Sequence, residues 1–248
     1  FSDGGQFIQP NIALKRASEM LEQGASIIDV GGESTRPGAK PVSLQEELDR
    51  VCPVVEAITK HLDVVVSVDT SRPEVMSEVI ALGAGLINDV RAFTVPGAPD
   101  AIKHHDVALC LMHMNGTPLT MQHKPCYTSV TDEVVSFLRQ RTDELIVSGV
   151  CKERLMIDPG FGFGKTIQHN FTLLKHLNIL SLLGTPILAG LSRKSMIYKS
   201  LDTTAQEALN GTSSLHMLAL NNGANILRVH DVKEAMECIK LHHLYKNA

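Results

Sequence analysis

The chain of 248 residues lacks four features that would place it in other classes of protein. Its five cysteines are widely spaced without a CxxC pair, which argues against a zinc site or disulfide framework and indicates reduced thiols in a cytoplasmic protein. Its net charge of −4 gives no general attraction to nucleic acid or to an anionic membrane. No apolar stretch is long enough to span a bilayer. No Pro-, Gly- or Ser-rich linker divides the chain, so we expect a single domain over residues 1–248.

Short apolar runs recur along the chain, and most of them end in a polar cluster that precedes a helical segment. Continuous apolar runs are typical of strands buried on both faces, as in a parallel sheet. The predicted strands cover residues 26–31, 64–69, 85–89, 108–113, 155–158, 186–191 and 225–229. Helical periodicity predicts helices at Asn11–Gly24, Ser43–Leu62, Pro73–Leu82, Ala98–His105, Val130–Ser148, Asn170–Leu183, Ala205–Asn221 and Val232–Leu244. Ser43 with Glu46, and Asp231 with Glu234, have the spacing of capping boxes at two helix starts.

Seven strands alternating with eight helices, a helix first, predict an α/β fold of the TIM (β/α)8 barrel type whose first strand is missing from the sequence. On this interpretation residues 1–5 (FSDGG) belong to the loop after that strand. An open doubly wound sheet is the alternative. It is less favoured because the βα spacing stays regular and no dinucleotide fingerprint occurs. Residues 160–165 (GFGFGK) match neither GxGxxG nor the P-loop spacing.

Three predicted strands end in a polar side chain that would be costly to bury without a partner. These side chains are Asp69, Asn88 and Asp158. Because the carboxyl ends of barrel strands meet at one rim, we expect the three groups to lie together. Two carboxylates and an amide suit a flat heterocycle with several N–H donors and a carbonyl, such as a pterin or a guanine. The alternative for any one of them alone is a strand-end residue that caps the next helix, and three polar ends among seven strands favour a site.

Basic side chains follow the last two predicted strands. Ser192–Lys194 (SRK) comes after one of them and Arg228–Asp231 (RVHD) after the other. Barrel enzymes often bind phosphate between these two loops, where a helix N-terminus adds partial positive charge. Arg228 and His230 alternate along the chain and therefore face the same side. The pattern predicts an anion site.

Two further loops are rich in glycine. Residues 31–38 (GGESTRPG) carry the hydroxyl of Thr35 and the guanidinium of Arg36, which suits phosphate or carboxylate. The alternative for this loop is a surface turn with Arg36 in solvent. Residues 160–165 allow close backbone approach, with one of two phenylalanines flanking a ring; the alternative is a plain turn with phenylalanines in the core.

Taken together, these motifs resemble the dihydropteroate synthase family, the sulfonamide-sensitive enzymes of folate synthesis. The similarity runs through the segments FSDGG, IIDVGGESTRPGA, VSVDTSRPEV, LINDVRA, MIDPGFGFGK, GLSRKSMI and ILRVHDV, in that order. The resemblance implies a TIM-barrel transferase that condenses 6-hydroxymethyl-7,8-dihydropterin diphosphate with 4-aminobenzoate, giving 7,8-dihydropteroate and diphosphate.

The same resemblance implies a metal and an oligomeric state. The cofactor would be Mg²⁺, with an asparagine ligand upstream of Phe1, so the metal ligands cannot be named in this sequence. Members of the family are usually homodimers that pack through late helices. The apolar residues of the predicted helix Ala205–Asn221 fit such an interface, and they fit ordinary core packing equally well.

Roles follow from the resemblance for the residues that match its motifs. The pterin ligands would be Asp69, Asn88, Asp158 and Lys194. The diphosphate ligands would be Thr35, Arg36, Arg228 and His230. The 4-aminobenzoate pocket would be formed by Thr35, Pro37, Phe163 and Ser192. The catalytic set would be Asp69, Asp158, Lys194, Arg228 and His230.

These roles predict the course of the reaction. The aromatic amine is neutral near neutral pH, so no strong base is needed and the barrier lies in breaking the C–O bond to diphosphate. Arg228, His230 and Arg36, together with Mg²⁺, would stabilise the leaving group. Asp69 and Asp158 would stabilise positive charge on the pterin. We therefore expect a dissociative substitution with the pterin bound first.

Two other functions are compatible with a pterin pocket in this fold. A pterin-dependent methyltransferase would have no use for a diphosphate site, so the STRPG, SRK and RVH motifs argue against it. A non-catalytic pterin-binding paralogue would be expected to lose loop residues such as Thr35 and Arg36, and both are present.

Overall fold

The computed structural model describes residues 9–36, 38–118, 120–121 and 125–248. Within these ranges seven parallel strands alternate with helices. The strands are β1 Ile27–Gly31, β2 Val65–Asp69, β3 Leu86–Asp89, β4 Ala108–Met112, β5 Leu155–Asp158, β6 Leu188–Ala189 and β7 Ile226–Leu227. The α-helices are α1 Pro10–Glu22, α2 Leu44–His61, α3 Pro73–Ala81, α4 Ala98–Ile102, α5 Val130–Val147, α6 Ile167–Lys175, α7 Ser195–Tyr198, α8 Leu209–Asn221 and α9 Val232–Lys246.

All seven predicted strands and all eight predicted helices have a counterpart, with two differences among the helices. The helix predicted over Asn170–Leu183 is divided into α6 and a 3-10 helix, Leu177–Leu183, and α6 begins early because Thr166 accepts the N–H of His169 as its N-cap. The short helix α7 was not predicted.

One predicted capping box is present and the other is not. At α2, Ser43 Oγ accepts the N–H of Glu46, whose carboxylate accepts the N–H of Ser43. The box predicted for Asp231 and Glu234 is wrong, because the Asp231 side chain caps no N–H of α9. Its carboxylate instead accepts two bonds from Arg193, at 2.7 and 2.8 Å, since a bidentate ion pair with a guanidinium is the stronger interaction.

The strands follow each other around the sheet in chain order, as predicted for a chain of βα units. β1 to β5 form one parallel sheet, β6 and β7 another, and a bridge from Ile157 to Ile187 joins the two. Ile27 of β1 and Ile226 of β7 pack into the same apolar cluster, so the sheet curves back on itself. The parallel α/β fold is confirmed. Within the described residues no backbone pairing joins β7 to β1, and the FSDGG segment lies outside those residues.

Side chains alternate between the two faces of this wall. Outward-facing residues of the strands pack against the helices and form the main core, which includes Ile28, Val66, Val68, Ile87, Leu109, Leu111 and Ile157. The inward-facing apolar residues close the N-terminal half of the interior: Ile27, Leu86, Ala108, Met156, Leu188 and Ile226. Burying each large apolar side chain contributes about 1.5–3 kcal/mol. The inward positions nearer the carboxyl ends of the strands are mostly polar, and they form the candidate site.

Candidate active site

Strand register places Asp69 and Asn88 side by side inside the barrel, and Asp158 on β5 lies two positions further along, as the partner of Met112 on β4. Asp69 on β2 is the register partner of Asn88 on β3, and Asn88 is the partner of Cys110 on β4. Register partners on adjacent strands point to the same face. Asp89, one residue further, faces outward and accepts the N–H groups of Arg91 and Phe93, so it shapes the next loop rather than the site.

Asp158 and Lys194 meet around Gly190. A Cβ placed on Gly190 would lie 3.7 Å from Asp158 Oδ2, 3.9 Å from Lys194 Nζ and 3.8 Å from Cβ of Arg228. Because Gly190 has no side chain, a space remains between the carboxylate of Asp158 and the ammonium group of Lys194. Asp158 is held in place by the N–H of Gly160, 2.7 Å from its Oδ1.

Arg228 is bound by two carboxylates in the interior. Its Nε donates to Asp29 Oδ2 at 2.7 Å, and its Nη2 lies 2.6 Å from the same oxygen and 3.3 Å from Asp69 Oδ2. Asp29 also accepts the hydroxyl hydrogen of Ser67 at 2.6 Å. Sequence reasoning missed Asp29. The signal was an aspartate inside an apolar strand, which is expensive to bury unless a cation pairs with it.

Burial and neighbouring charges shift the pKa values of these side chains. Burial raises the pKa of Asp69 to about 7, although the charge of Arg228 opposes the shift. Burial likewise raises the pKa of Asp158, opposed by Lys194. The pKa of Lys194 falls to about 8 because burial disfavours its charge, while Asp158 and Asp69 favour it. The carboxylates around Arg228 raise its pKa, so the guanidinium stays charged.

The two loops of the predicted anion site are bound to each other. Ser192 Oγ accepts the backbone N–H of His230 at 3.3 Å and lies 3.0 Å from its Nδ1. Arg193, with a left-handed φ of 53°, connects Asp231 to the carbonyl groups of Ala205 and Gln206. The structure thus places Ser192 beside His230, at the start of α9.

The two phenylalanines of the glycine-rich loop have different positions. Phe161 is fully buried in the main core. Phe163 packs with Val90, Met112 and Met121, and Lys194 Nζ lies 4.7 Å from the centre of its ring. Phe163 is therefore the ring that adjoins the site, and Phe161 contributes its carbonyl oxygen, which accepts a 2.6 Å hydrogen bond from Lys194 Nζ.

The loop that follows β1 is fixed near both of its ends. Arg50 Nη1 donates to the Gly32 carbonyl at 3.0 Å, and Arg72 donates to the Val42 carbonyl. Between these points Thr35 lines a cavity of about 170 Å³ together with Asp69, Thr70, Ser71 and Arg91, among others. Arg36 is half-buried, with its N–H 3.4 Å from Ser34 Oγ. Pro37, predicted to contact 4-aminobenzoate, lies outside the described residues.

A buried lysine and histidine were also missed. Lys165 is 3% exposed, and its Nζ lies 2.9 Å from Nδ1 of His113. Burial lowers the pKa of Lys165 to about 7, and burial together with Lys165 lowers that of His113 to about 3. A lysine at the end of a glycine-rich loop was the available signal, but the failed P-loop spacing removed it from consideration.

One cavity of about 340 Å³ opens inside the barrel. Its lining includes Asp29, Ser67, Asn88, Gly190, Ser192, Lys194, Arg228 and His230. Among the described residues, Oδ1 of Asn88 is buried without a hydrogen-bond partner, which is costly unless a ligand donates to it. The cavity can therefore accept a flat polar ring whose edge carries hydrogen-bond donors.

Two kinds of feature are absent from the part of the chain that the structure describes. No three His, Cys, Asp or Glu side chains there are grouped so that they could hold a metal ion. No helix there is long and apolar enough to cross a membrane.

Comparisons with known proteins agree with this geometry. The profile of the family described as pterin binding enzyme matches residues 1–230. The chain is 48% identical to the dihydropteroate synthase of Haemophilus influenzae over 248 residues, covering 100% of this chain and 90% of that protein.

Solved structures of the same kind are similar throughout. The dihydropteroate synthase of Yersinia pestis in complex with a sulfonamide drug has a TM-score of 0.97 and 45% identity, covering 99% of this chain and 90% of that one. The dihydropteroate synthase of Xanthomonas albilineans with 4-aminobenzoic acid has a TM-score of 0.92 and 42% identity, covering 100% of this chain and 89% of that one.

Proposed function

This chain belongs to the dihydropteroate synthase family, and on that premise we propose that its barrel cavity joins a dihydropterin diphosphate to 4-aminobenzoate. Membership makes the chain a transferase of folate biosynthesis. The observation that carries the residue assignment is the set of buried groups Asp69, Asn88, Asp158 and Lys194 next to the half-buried Arg228, with Asn88, Lys194 and Arg228 lining the larger cavity.

The pterin site follows from hydrogen-bonding capacity. An aminopyrimidinone edge offers several N–H donors, and Asp158, Asp69 and Asn88 Oδ1 are acceptors facing the interior. Lys194 supplies a donor for a ring carbonyl or nitrogen. The space beside Gly190 lies between Asp158 and Lys194, so a ring placed there contacts a carboxylate and an ammonium group together.

The reaction exchanges one bond for another at the pterin methylene carbon. The C–O bond breaks and its electron pair leaves with diphosphate; the amine nitrogen then forms the new C–N bond and releases one proton. Arg228, His230 and the N-terminus of α9 provide positive charge or N–H donors for the leaving group. Asp69 and Asp158, when ionised, stabilise the cationic pterin. The charges therefore match a dissociative substitution.

Asp29 extends the predicted set as the residue that orients Arg228. It binds Nε and Nη2 of the guanidinium, and among the described residues no hydrogen bond reaches Nη1. We infer that Nη1 is the atom of Arg228 that reaches the diphosphate or the pterin.

The 4-aminobenzoate pocket is proposed to lie between Phe163 and the loop that carries Thr35 and Arg36. The complexes of the Yersinia pestis and Xanthomonas albilineans proteins with a sulfonamide drug and with 4-aminobenzoic acid support this substrate class. Sulfonamides should accordingly compete with 4-aminobenzoate and leave the affinity for the pterin substrate unchanged.

Mg²⁺ remains part of the proposal as a cofactor bound through the diphosphate substrate. Mg²⁺ is commonly held by one or two carboxylates and by substrate phosphates. No group of three His, Cys, Asp or Glu side chains among the described residues could hold the ion without substrate, and no step above depends on the metal. Calorimetry should show that EDTA weakens binding of dihydropterin diphosphate but not of the dihydropterin without diphosphate.

A homodimer and a cytoplasmic location complete the proposal for this single domain. Leu218 on α8 and Leu241, Leu244 and Tyr245 on α9 are exposed apolar residues on neighbouring helices, which suits a subunit interface. Sedimentation equilibrium should show a dimer that Leu218→Glu weakens. All five cysteines are free, as expected in a reducing compartment.

The proposed reaction is tested by incubating the protein with dihydropterin diphosphate, 4-aminobenzoate and Mg²⁺ and measuring dihydropteroate. Omitting 4-aminobenzoate should abolish the product. Asp69→Ala and Lys194→Ala should each lower kcat/KM by roughly two to three orders of magnitude, the usual effect of removing one preorganised group. Binding of the pterin substrate without product would instead favour the non-catalytic paralogue.

A further inference from the structure

Lys165 has no part in the proposed chemistry, yet it is one of the most buried charged side chains in the described chain. Its Nζ donates to the carbonyl oxygens of Gly160 at 2.9 Å and Phe163 at 3.1 Å. The third close atom is Nδ1 of His113, also at 2.9 Å. A fourth, longer contact at 3.4 Å reaches the carbonyl oxygen of His113, so the N–H donors of Lys165 are surrounded by acceptors.

The ring of His113 acts as an acceptor for Lys165. Burial and the charge of Lys165 keep the pKa of His113 near 3, so its ring is neutral. Its proton then sits on Nε2 and its Nδ1 accepts. The ring is fixed by aromatic packing, with Phe137 edge-on at 5.0 Å.

The backbone of residues 159–165 is folded tightly around this amino group. Gly160 and Gly164 both have positive φ, and a Cβ on them would lie 1.9 Å from the His113 carbonyl oxygen and 2.4 Å from that of Asn115. The loop is thus pressed against the loop that follows β4. The Gly160 carbonyl also accepts the backbone N–H of Phe163 at 3.1 Å, so Lys165 adds a second donor to this turn and bonds it to the Phe163 carbonyl.

The same loop provides the two contacts described for Lys194. The carbonyl oxygen of Phe161 accepts its hydrogen bond, and the ring of Phe163 lies under its Nζ. Both contacts come from the segment of residues 160–163, and Lys165 binds the carbonyl groups at the two ends of that segment. A shift of this loop therefore moves Lys194 and one wall of the 4-aminobenzoate pocket together.

We propose that Lys165 is a positioning residue for the condensation, which holds the loop of residues 159–165 so that Phe161 and Phe163 orient Lys194. The inference rests on the proposed function. Lys165 touches neither substrate and acts through Phe163 and Lys194. Lys165 is neither a catalytic residue nor a substrate ligand in the proposed reaction.

The test compares Lys165→Met, which keeps an unbranched side chain one atom shorter and removes its donors, with Lys175→Met on α6. Lys175 is exposed, so this control removes one positive charge outside the site. Lys165→Met should raise KM for 4-aminobenzoate and lower kcat by about tenfold or more each, as expected when reacting groups are misplaced by a fraction of an ångström. Lys175→Met should behave as wild type.

A double-mutant cycle with Phe163→Ala separates positioning from a general loss of stability. If Lys165 acts through Phe163, the two changes share one pathway, and the double variant should be little worse than the poorer single variant. Full additivity, or a folded Lys165→Met protein within about threefold of wild-type kcat/KM, would overturn the proposal.

His113→Phe provides a second variant should Lys165→Met fail to fold. This variant keeps the aromatic packing and removes the ring acceptor. KM for 4-aminobenzoate should therefore rise, but by less than in Lys165→Met; an unchanged KM would contradict the proposal. If the wild-type protein forms no dihydropteroate, the proposed function fails separately. Calorimetry with the dihydropterin then decides on Lys165, because its loss should weaken pterin binding through Lys194.

Discussion

At the scale of single residues, the hydrogen atom of Gly190 determines the shape of the cavity. An added methyl group would be in ordinary contact with Asp158 and Lys194, so Gly190→Ala should fold with a Tm within about 3 °C of wild type. The methyl group occupies the space assigned to the ring, and overfilling a packed site costs about 1–3 kcal/mol. Calorimetry should show dihydropterin affinity reduced by about tenfold or more. Unchanged affinity would place the ring elsewhere.

The pH dependence of the reaction follows from Asp69 and Lys194. With a pKa of about 7, Asp69 loses its charge as pH falls, and Lys194 loses its charge as pH rises through about 8. A plot of kcat/KM from roughly pH 5.5 to 9.5 should therefore be bell-shaped.

Asp29→Asn should move the acid side of that plot to lower pH. The carboxylate of Asp29 raises the pKa of Asp69, and it also competes for Arg228, whose charge lowers the pKa of Asp69. Removing Asp29 acts in the same direction through both effects. An acid side that stays in place or moves upward would show that Asp69 is not the group that titrates.

Asp69, Asn88 and Asp158 were predictable because each ends a continuous apolar run, and the carboxyl ends of barrel strands meet at one rim. Asp29 and Lys165 were not predictable in the same way. The buried carboxylate of Asp29 is stabilised by an arginine 199 positions away. The amino group of Lys165 is stabilised by carbonyl groups whose direction depends on glycines with positive φ. A single sequence carries no record of such distant partners.

At the scale of the element, the loop between β1 and α2 is held by arginines from its neighbours. Arg50→Met removes the bond to the Gly32 carbonyl and leaves the pterin cavity intact. KM for 4-aminobenzoate should rise by about threefold to tenfold, because Thr35 and Arg36 are then less well placed. Dihydropterin affinity should not change.

Lys60→Met on the same helix is the matched control, since Lys60 forms an exposed ion pair with Glu56. Equal kinetic effects of the two variants would mean that the charge of α2, and not its contact with the loop, is responsible.

The last two strands show why element boundaries differ from the sequence prediction. Apolar runs predicted strands over 186–191 and 225–229, whereas β6 and β7 pair over two residues each. Beside them, Asn225 Oδ1 accepts the N–H of Ile187, and Gly190 lies at the rim beside Asp158 and Lys194. A side chain thus replaces part of the ladder, which hydrophobic patterning does not reveal.

At the scale of the whole molecule, buried neutral histidines make stability depend on pH. Burial lowers the pKa of His216 to about 4 from 6.5, and Nε2 of this residue has no hydrogen-bond partner among the described residues. Below pH 6.5 the unfolded state binds the proton and the folded state does not, so stability is lost as pH falls toward 4.

His216→Leu isolates this contribution from the carboxylates with raised pKa, which act in the opposite direction. Relative to wild type, its free energy of unfolding should rise by about 3 kcal/mol between neutral pH and pH 4. Urea unfolding at several pH values measures the difference. A difference independent of pH would mean that His216 titrates normally in the folded protein.

The strand order of the barrel could be predicted because βα units that follow one another also lie side by side. The lack of pairing between β7 and β1 among the described residues also agrees with the prediction, because the strand expected between them is the one missing from the sequence. There the described contact is made by side chains, Arg228 with Asp29 and Asp69.

That contact has a consequence for the protein while it is being made on the ribosome. Strands β1 to β6 emerge before Arg228, and until then the two aspartates have no cation between them. Contacts of such sequence separation also form late, because a long loop must be closed first. A nascent chain halted before residue 228 would therefore be unable to sequester the pterin, and substrate capture would begin only after the last strand has been synthesised.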